Sequence, residues 1–364
     1  MRSLKVNLDK RCRLSYEIKI GANILDRAIL LIAKNHPAGH YVVITDDGVG
    51  PLYGKKMVDG LKEVGLNVSL LKFPAGESSK NIRTAVEIAE KLMEKGADRE
   101  TMLIALGGGV VGDIAGFAAS IFMRGVPYLQ VPTTLVAQVD SAIGGKTGVD
   151  LPTGKNLLGT FYQPRVVFVS LHFLETLPQK EFQNGLAEII KYGAIEEERI
   201  LETLEKDMEA VKAKDPKVML NIVESCCRIK KSIVEIDEKE HGLRRILNFG
   251  HTVGHALESV SKYKMTHGEG VALGMVAAAR ISEKTGYLKR EETQRLETVI
   301  AEAGLPVRIP KVFKTEDILV KLRSDKKKKG DAVRFVLLKK IGMPFISGSV
   351  EPKMVAAVIE EMKQ

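Results

Sequence analysis

The sequence predicts two domains, an α/β domain with a mostly parallel sheet in residues 1–177 and a mainly α-helical domain in residues 178–364. Three observations lead to this prediction. The chain has 364 residues, which is longer than a single hydrophobic core usually serves. Its first half alternates short apolar runs with helical patterns, as a sheet with helical crossovers requires. Beyond Leu177 almost every segment shows helical periodicity.

The apolar runs of the first half are short and rich in β-branched residues, which is typical of buried parallel strands. Five such runs predict strands: YVVITDD, NVSLLKF, TMLIAL, YLQV and VVFVSL. Between the second and third, NIRTAVEIAEKLMEKG has helical spacing and ends in glycine, which predicts a helix with a C-cap.

The second half predicts helices and one strand, RFVLLKKIG. The predicted helices are PQKEFQNGLAEIIKYGAI, EERILETLEKDMEAVKAK, PKVMLNIVESCCRIKKSIVEIDEKE and residues 250–261, 268–286 and 290–303. A cleft between two such domains is the usual place for a ligand.

The chain carries a net charge of +9, which suits either nucleic acid or a small anionic substrate. Its densest basic run, SDKKKKG at 324–330, is typical of a solvated loop and has no interleaved aromatic residues for base stacking. We therefore expect a small anionic substrate and no nucleic-acid partner.

Three cysteines, Cys12, Cys226 and Cys227, predict reduced thiols and a cytoplasmic protein, because adjacent cysteines bridge poorly. The N-terminal residues lack the apolar run of a signal peptide. The most apolar stretch, residues 101–123, contains Asp113 and a triple glycine, which favours a buried strand, turn and helix over a membrane span.

The glycine-rich segment LGGGVVGD, residues 106–113, follows one predicted strand and opens a helix. Such a turn lets backbone amides approach a diphosphate, as in Rossmann-like domains, although a tight turn alone also requires glycine. Asp46, at the end of a strand, and Glu77 and Lys80, before a helix, are candidate nucleotide contacts. Local caps with solvated charges remain the alternative for these three.

Residues 131–164 form a long segment rich in Gly, Thr and Lys, which predicts an irregular functional loop. It contains Asp140, Lys146, Lys155 and Asn156. Lysines flanked by glycines suit a phosphate or carboxylate ligand. A flexible surface loop is the alternative, but it does not explain the interleaved apolar residues.

His251 and His255 lie four residues apart on one helix face, and His267 follows at the start of the next predicted helix. HTVGH lacks the glutamate of a zinc-protease motif, so that function is excluded. A catalytic zinc usually takes three protein ligands. Spacing alone leaves open whether Glu188, in GLAEIIKYG, or His255 is the third ligand.

Together these motifs resemble the 3-dehydroquinate synthases, a family of sugar-phosphate cyclases, over nearly the whole chain. The most specific matches are FMRGVPYLQVPTTLVAQVDSAIGGKTGVDLPTGKNLLGTFYQP, GLAEIIKYG and RRILNFGHTVGHALE with HGEGVALGM. The resemblance implies a lyase of the shikimate pathway, and so of chorismate and aromatic amino acid biosynthesis. It would convert 3-deoxy-D-arabino-heptulosonate 7-phosphate into 3-dehydroquinate and phosphate by transient oxidation with NAD, phosphate elimination, re-reduction and aldol closure.

The same resemblance implies a role for individual residues. It implies a zinc or cobalt site made of Glu188, His251 and His267, with His255 beside the substrate. It implies NAD contacts at Asp46, Glu77, Lys80, Gly108, Gly109, Val110, Asp113, Thr133, Thr134, Lys146, Lys155 and Thr176. It implies substrate contacts at Asp140, Lys146, Asn156, Lys191, Lys230, Arg244, Asn248 and His255. Arg124 would bind phosphate in a neighbouring subunit of a homodimer, and a C-terminal contact would fall on Lys327 or Arg334.

Two enzyme alternatives share the expected architecture: a sister cyclase with another sugar phosphate, and an NAD- and metal-dependent polyol dehydrogenase. The dehydrogenase would release NADH, and it would have no need of the two lysine-bearing loops or of Arg244 and Asn248. Sister cyclases are expected to differ at the positions that bind the substrate carboxylate.

Overall fold

A computed structural model describes residues 1–6, 15–262, 264–324 and 333–363. The chain divides into two compact units, the first made of Met1–Leu177 and Met219–Lys239 and the second of Pro178–Val218 and Glu240–Gln364. One division therefore follows Leu177. Residues 219–239 differ from the sequence expectation, because they group with the first unit and not with the helical one. Within the first unit Cys227 Sγ lies 3.3 Å from the carbonyl oxygen of Gln138, and Lys230 Nζ lies 2.8 Å from that of Asp140.

The first unit is built on a seven-stranded sheet with the order β1-β2-β9-β6-β5-β3-β4. Its strands are β1 (Arg2–Val6), β2 (Tyr16–Gly21), β3 (Tyr41–Asp46), β4 (Val68–Phe73), β5 (Met102–Gly107), β6 (Tyr128–Pro132) and β9 (Val166–Ser170). All pairings are parallel except β1 with β2. The five strands predicted from apolar runs are confirmed, and β1 and β2 extend the sheet at one edge.

Helices cover both faces of this sheet. They are α1 (Leu25–Asn35), α2 (Lys55–Glu63), α3 (Ile82–Glu94) and α4 (Gly109–Ile121). The central strand β5 is buried throughout, with Ile104 and Leu106 in one apolar cluster and Leu103 and Ala105 in the other. Alternate side chains of β5 thus pack into the apolar clusters on opposite faces of the sheet, which explains why its sequence is continuously apolar.

Residues 131–164 are more regular than the sequence suggested. After a π-helical turn at Ala137–Ser141 they form an antiparallel hairpin of β7 (Lys146–Leu151) and β8 (Gly154–Phe161). Gly148 pairs with Gly159, and a Cβ on Gly148 would lie 2.7 Å from the carbonyl oxygen of Leu158. The glycines that are typical of a loop therefore allow two strands to approach closely.

The second unit is mainly helical, as predicted. It contains α5 (Gln179–Ile195), α6 (Arg199–Lys212), α8 (His251–Val260), α9 (His267–Lys284), α10 (Arg290–Glu302), α11 (Thr315–Ser324) and α12 (Pro352–Glu361), and α7 (Pro216–Ile236) begins in it. The predicted strand β10 (Phe335–Lys340) pairs with β11 (Met343–Ser347), which the sequence analysis missed along with α11 and α12. Among the described residues, no helix combines the length and apolar character of a membrane span.

Candidate functional site

The two helices that carry the histidines pack along a seam of glycines. Gly250 and Gly254, at the start of α8, face Gly270 and Gly274 of α9. A Cβ atom on Gly254 would lie 2.7 Å from the carbonyl oxygen of Gly270. A Cβ atom on Gly274 would overlap the carbonyl oxygen of Gly250. Gly250 also has a φ of +81°, which favours glycine. The seam brings the two backbones into direct contact, so side chains beside it converge.

His251, His255 and His267 form one cluster in this unit. Their candidate ligand nitrogens all lie within 4.8 Å of one another. His251 is the first residue of α8, and His267 is the first residue of α9, where a capping box formed by Thr266 and Glu269 begins the helix. The structure therefore brings the three histidines together.

Glu188 of α5 joins this cluster from a different part of the sequence. Its Oε1 lies 3.0 Å from His267 Nε2 and 3.5 Å from His251 Nε2, and its side chain is 1% exposed. Its Oε2 pairs with the ammonium group of Lys191, one turn later on the same helix. His255 is exposed, whereas Glu188 is buried among cationic and imidazole groups. One carboxylate and two imidazoles are a donor set that suits Zn²⁺ or Co²⁺.

Each of these two imidazoles has a partner for its other nitrogen. Nδ1 of His251 lies 3.2 Å from the carbonyl oxygen of Phe249, and Nδ1 of His267 lies 3.2 Å from Oε1 of the buried Glu258. Metal-binding histidines commonly have such outer partners, which direct the second nitrogen toward the ion. Sequence analysis missed Glu258, although its position seven residues after His251 places it on the same helix face.

Burial and charge shift the protonation of this cluster. Burial opposes ionisation of Glu188, but Lys191 and the two histidines hold its pKa well below the usual range. Burial would lower the pKa of His267, but the carboxylates of Glu188 and Glu258 outweigh it and raise that pKa to about 10. In the metal-free protein at neutral pH the carboxylate is thus ionised and His267 carries a proton.

Metal binding should therefore release a proton. Because the pKa of His267 is raised from 6.5 to about 10, a proton competes with the ion across the neutral range. We expect zinc affinity to rise up to about tenfold per pH unit between pH 6 and 8.5, with about one proton released from His267 per ion. Calorimetric titrations in buffers of different ionisation enthalpy measure this proton. An affinity independent of pH would contradict the assigned protonation.

The glycine-rich turn lies where the sequence predicted it, between β5 and α4. The N-cap of α4 is Gly108, and Gly109 and Val110 form the first turn, whose amide groups favour an anion. A Cβ on Gly108 would lie 2.8 Å from the methyl group of Thr134, and the amide of Thr133 donates to the carbonyl oxygen of Gly107 at 2.9 Å. This edge of the sheet can thus hold a diphosphate close to backbone.

Two further polar groups line the first unit near this turn. Lys80 Nζ is buried and lies 2.6 Å from both Asp113 Oδ2 and Asn156 Oδ1. Burial raises the pKa of Asp113 even though Lys80 opposes it. Lys155 Nζ lies 3.1 Å from Glu77 Oε1. Residues that were separate candidates in the sequence therefore form one group of three, around Lys80, and one pair.

Asp46 and Thr176 follow other strands of the same sheet. Asp46 ends β3, next to β5, and its Oδ1 accepts hydrogen bonds from the amides of Gly48 and Val49. Thr176 Oγ1 lies 2.7 Å from the hydroxyl of Tyr53. Carboxyl ends of adjacent parallel strands meet at one edge, which is where open α/β sheets bind ligands.

Part of the predicted substrate set also lies in the first unit. Lys230 Nζ lies 2.8 Å from Asp140 Oδ1, and Lys146 is exposed at the start of β7. Arg124 has a φ of +68° and follows Met123 with a φ of +50°. Two successive non-glycine residues in the left-handed region cost roughly 1–2 kcal/mol each, and such strain concentrates at functional sites.

The second unit holds the rest of that set. Lys191 and Arg244 are almost fully buried, and Asn248 Nδ2 donates to Glu240 Oε1 at 2.8 Å. Arg334 is exposed, and its carbonyl oxygen accepts from Thr252. The other candidate for the C-terminal contact, Lys327, lies outside the described residues.

Comparison with protein families matches two models in succession. Residues 70–184 match the model described as 3-dehydroquinate synthase N-terminal, and residues 185–328 match 3-dehydroquinate synthase C-terminal. The chain is 44% identical to the 3-dehydroquinate synthase of Acidithiobacillus ferrooxidans, over 99% of this chain and 98% of that protein. It is 41% identical to that of Desulforamulus reducens, over 99% and 100%.

Solved structures give the same fold with bound cofactors. A 2-deoxy-scyllo-inosose synthase complexed with carbaglucose-6-phosphate, NAD⁺ and Co²⁺ has a TM-score of 0.89 and 28% identity, over 99% of this chain and 100% of that one. ValA, a 2-epi-5-epi-valiolone synthase from Streptomyces hygroscopicus with NAD⁺ and Zn²⁺ bound, has a TM-score of 0.89 and 26% identity, over 98% and 99%.

Proposed function

The chain belongs to the 3-dehydroquinate synthase family, and from this premise we propose which of its residues perform the reaction. The enzyme is a carbon–oxygen lyase that converts 3-deoxy-D-arabino-heptulosonate 7-phosphate into 3-dehydroquinate and phosphate, with NAD and a divalent metal as cofactors. The observation that carries the residue assignment is the convergence of Glu188 with His251 and His267.

We propose that these three residues hold the metal and that His255 contacts the substrate. The buried, ionised carboxylate of Glu188 supports this choice of third ligand over the exposed His255. Zinc or cobalt would suit the set. When bound, NAD supplies reversible oxidation of a secondary alcohol and the metal polarises that alcohol.

The first unit would bind NAD at the edge of its sheet. Backbone amides at Gly108, Gly109 and Val110 would hold the diphosphate. The other contacts would come from polar side chains around that edge: Asp46, Glu77, Lys80, Asp113, Thr133, Thr134, Lys146, Lys155 and Thr176. The linked pairs Lys80–Asp113 and Lys155–Glu77 support this because they fix charged groups beside the turn.

Cationic residues would balance the two anionic groups of the substrate. Lys146, Lys191, Lys230 and Arg244 carry this charge, and Asp140, Asn156, Asn248 and His255 would orient the hydroxyl groups. Buried anions require such partners. Once the alcohol is oxidised, the adjacent C–H is acidic, so its proton can leave to an oxygen of the substrate's own phosphate. The carbon–oxygen bond to phosphate then breaks.

The reaction is tested by its electron balance. We expect stoichiometric phosphate release from the heptulosonate phosphate with trace NAD and no net NADH, because each oxidation is reversed before product leaves. Phosphate assay and absorbance at the NADH band measure both quantities. Net NADH in step with turnover would instead indicate a polyol dehydrogenase.

Lys146→Ala should weaken catalysis strongly. Removing one charged partner of a desolvated anion costs roughly 2–5 kcal/mol, so we expect kcat/KM to fall about 30- to 5000-fold. Lys55→Ala, which removes an exposed lysine paired with Asp59, is the matched control. If the Lys146→Ala enzyme has the wild-type kcat/KM, Lys146 does not contact the substrate.

We propose a cytoplasmic homodimer with no nucleic-acid or membrane partner. Cys226 and Cys227 are buried and in the thiol form, which suits a reducing compartment. Leu157, Leu158 and Phe161 of β8 are exposed, and among the described strands β8 pairs with β7 alone. An exposed apolar edge strand is a ready surface for a second copy of the chain.

Charged side chains on the exposed apolar face of β8 should separate the two subunits of the proposed dimer. A Leu157→Asp/Phe161→Asp variant should be monomeric by analytical ultracentrifugation, and it should lose activity if Arg124 serves the neighbouring subunit. Val312→Asp, at another exposed apolar residue, is the control and should leave the mass unchanged. If the double variant retains the wild-type mass, the dimer interface does not depend on β8.

A further inference from the structure

We propose that Glu258 is a positioning residue that fixes the imidazole of His267 for metal binding; this inference rests on the proposed metal site. Glu258 lies in the last two turns of α8, and its Oε1 is 3.2 Å from His267 Nδ1. His267 Nε2 is thereby directed to Oε1 of Glu188, 3.0 Å away. Glu258 is thus the outer member of a carboxylate–imidazole–carboxylate row.

The glycine seam provides the space that Glu258 occupies. A Cβ on Gly270 would lie 3.1 Å from Cγ and 3.3 Å from Oε1 of Glu258. Because Gly270 has no side chain, the carboxylate can lie against the first turn of α9, beside His267. Glu258 is 3% exposed, so its charge is removed from water. A buried carboxylate is costly unless it is paired, and the imidazole is one such partner.

The row explains how His267 is held although it is the first residue of its helix. Helix ends fray, and a side chain in the first turn has few neighbours to restrict its rotamer. When the ring is neutral, as metal binding requires, a hydrogen bond from Nδ1–H to Glu258 selects the tautomer with a free Nε2 and fixes the ring plane. The carbonyl oxygen of Phe249 holds the ring of His251 in the same way. A side chain thus supports His267, and a backbone carbonyl group supports His251.

Zinc affinity separates positioning from a purely structural role. The variants are Glu258→Leu, which removes the acceptor, and Glu258→Gln, which keeps an amide oxygen at nearly the same volume. Glu297→Gln removes a carboxylate paired with Arg280 elsewhere in the same unit and is the control. Apoprotein of each is titrated with zinc against a chromogenic chelator, and Co²⁺-substituted protein gives a visible spectrum.

We expect the zinc Kd to rise about 10- to 100-fold in Glu258→Leu and less in Glu258→Gln, with shifted Co²⁺ bands in both. Glu297→Gln should match wild type. If Glu258→Leu does not fold, Glu258→Gln decides: a wild-type Kd and Co²⁺ spectrum in that variant would overturn the inference. If the wild-type protein takes up no zinc, the proposed metal site itself is overturned. If the wild type binds zinc and the Glu258 variants bind it with the same Kd and Co²⁺ spectrum, only the positioning role is overturned.

Discussion

His267→Ala is expected to abolish zinc binding and to lower kcat by about a thousandfold, since the metal contributes several kcal/mol to alcohol polarisation. The side chain supplies Nε2 at 3.0 Å from Glu188, and alanine leaves the carboxylate and His251 without a third donor. His255→Ala should also lose rate but should retain one zinc per chain. Metal content by mass spectrometry and kcat by phosphate release measure the two effects separately.

Comparing the zinc content of His255→Ala with that of His267→Ala tests whether His255 is a metal ligand. His255 lies within the same cluster, so proximity does not separate it from His267. His36→Ala, in the loop after α1, is the control and should retain both metal and activity. Equal loss of zinc from His255→Ala and His267→Ala would mean that His255 is a ligand.

Gly274→Ala is expected to destabilise the helical unit by roughly 3 kcal/mol and to weaken zinc binding with it. Alanine normally favours a helix interior by up to about 1 kcal/mol over glycine. Here its Cβ would overlap the carbonyl oxygen of Gly250, so α8 and α9 must separate. Overpacking of this kind typically costs about 1–3 kcal/mol, and backbone has little room to give. Separation would also move His251 away from His267.

Thermal unfolding of the apoprotein and zinc titration test the seam together. Gly348→Ala is the matched control in the same unit, because its added Cβ meets no atom within 4 Å. It should change neither the melting temperature nor the zinc Kd appreciably. A Gly274→Ala protein as stable as wild type would show that the helices adjust without the seam.

Local sequence predicted most of the strands and helices, and it predicted two of the clustered histidines on one helix face. HTVGH places two histidines on one helix face wherever the helix lies, because the 3.6-residue period dictates it. Glu188 is 63 residues before His251, and only tertiary packing brings them together. Spacing therefore could not choose it over His255, and the resemblance to a known family supplied that choice.

Residues that act through other residues were harder to predict. Glu258 resembles any acidic residue of an amphipathic helix until Gly270 is seen to leave room for it. The pairing of Lys80 with Asp113 joins two motifs 33 residues apart and likewise depends on the fold. The hairpin β7–β8 was mistaken for a loop because its glycines lower strand propensity, although they are what permits the close pairing.

The most direct test is a crystal of the zinc-loaded protein measured with anomalous scattering at the zinc edge. One peak is expected at about 2.0–2.2 Å from a carboxylate oxygen of Glu188 and from Nε2 of His251 and His267, with Glu258 against His267 Nδ1. A peak coordinated by His255 without Glu188, or zinc bound elsewhere on the chain, would contradict the assignment on which the proposed chemistry depends.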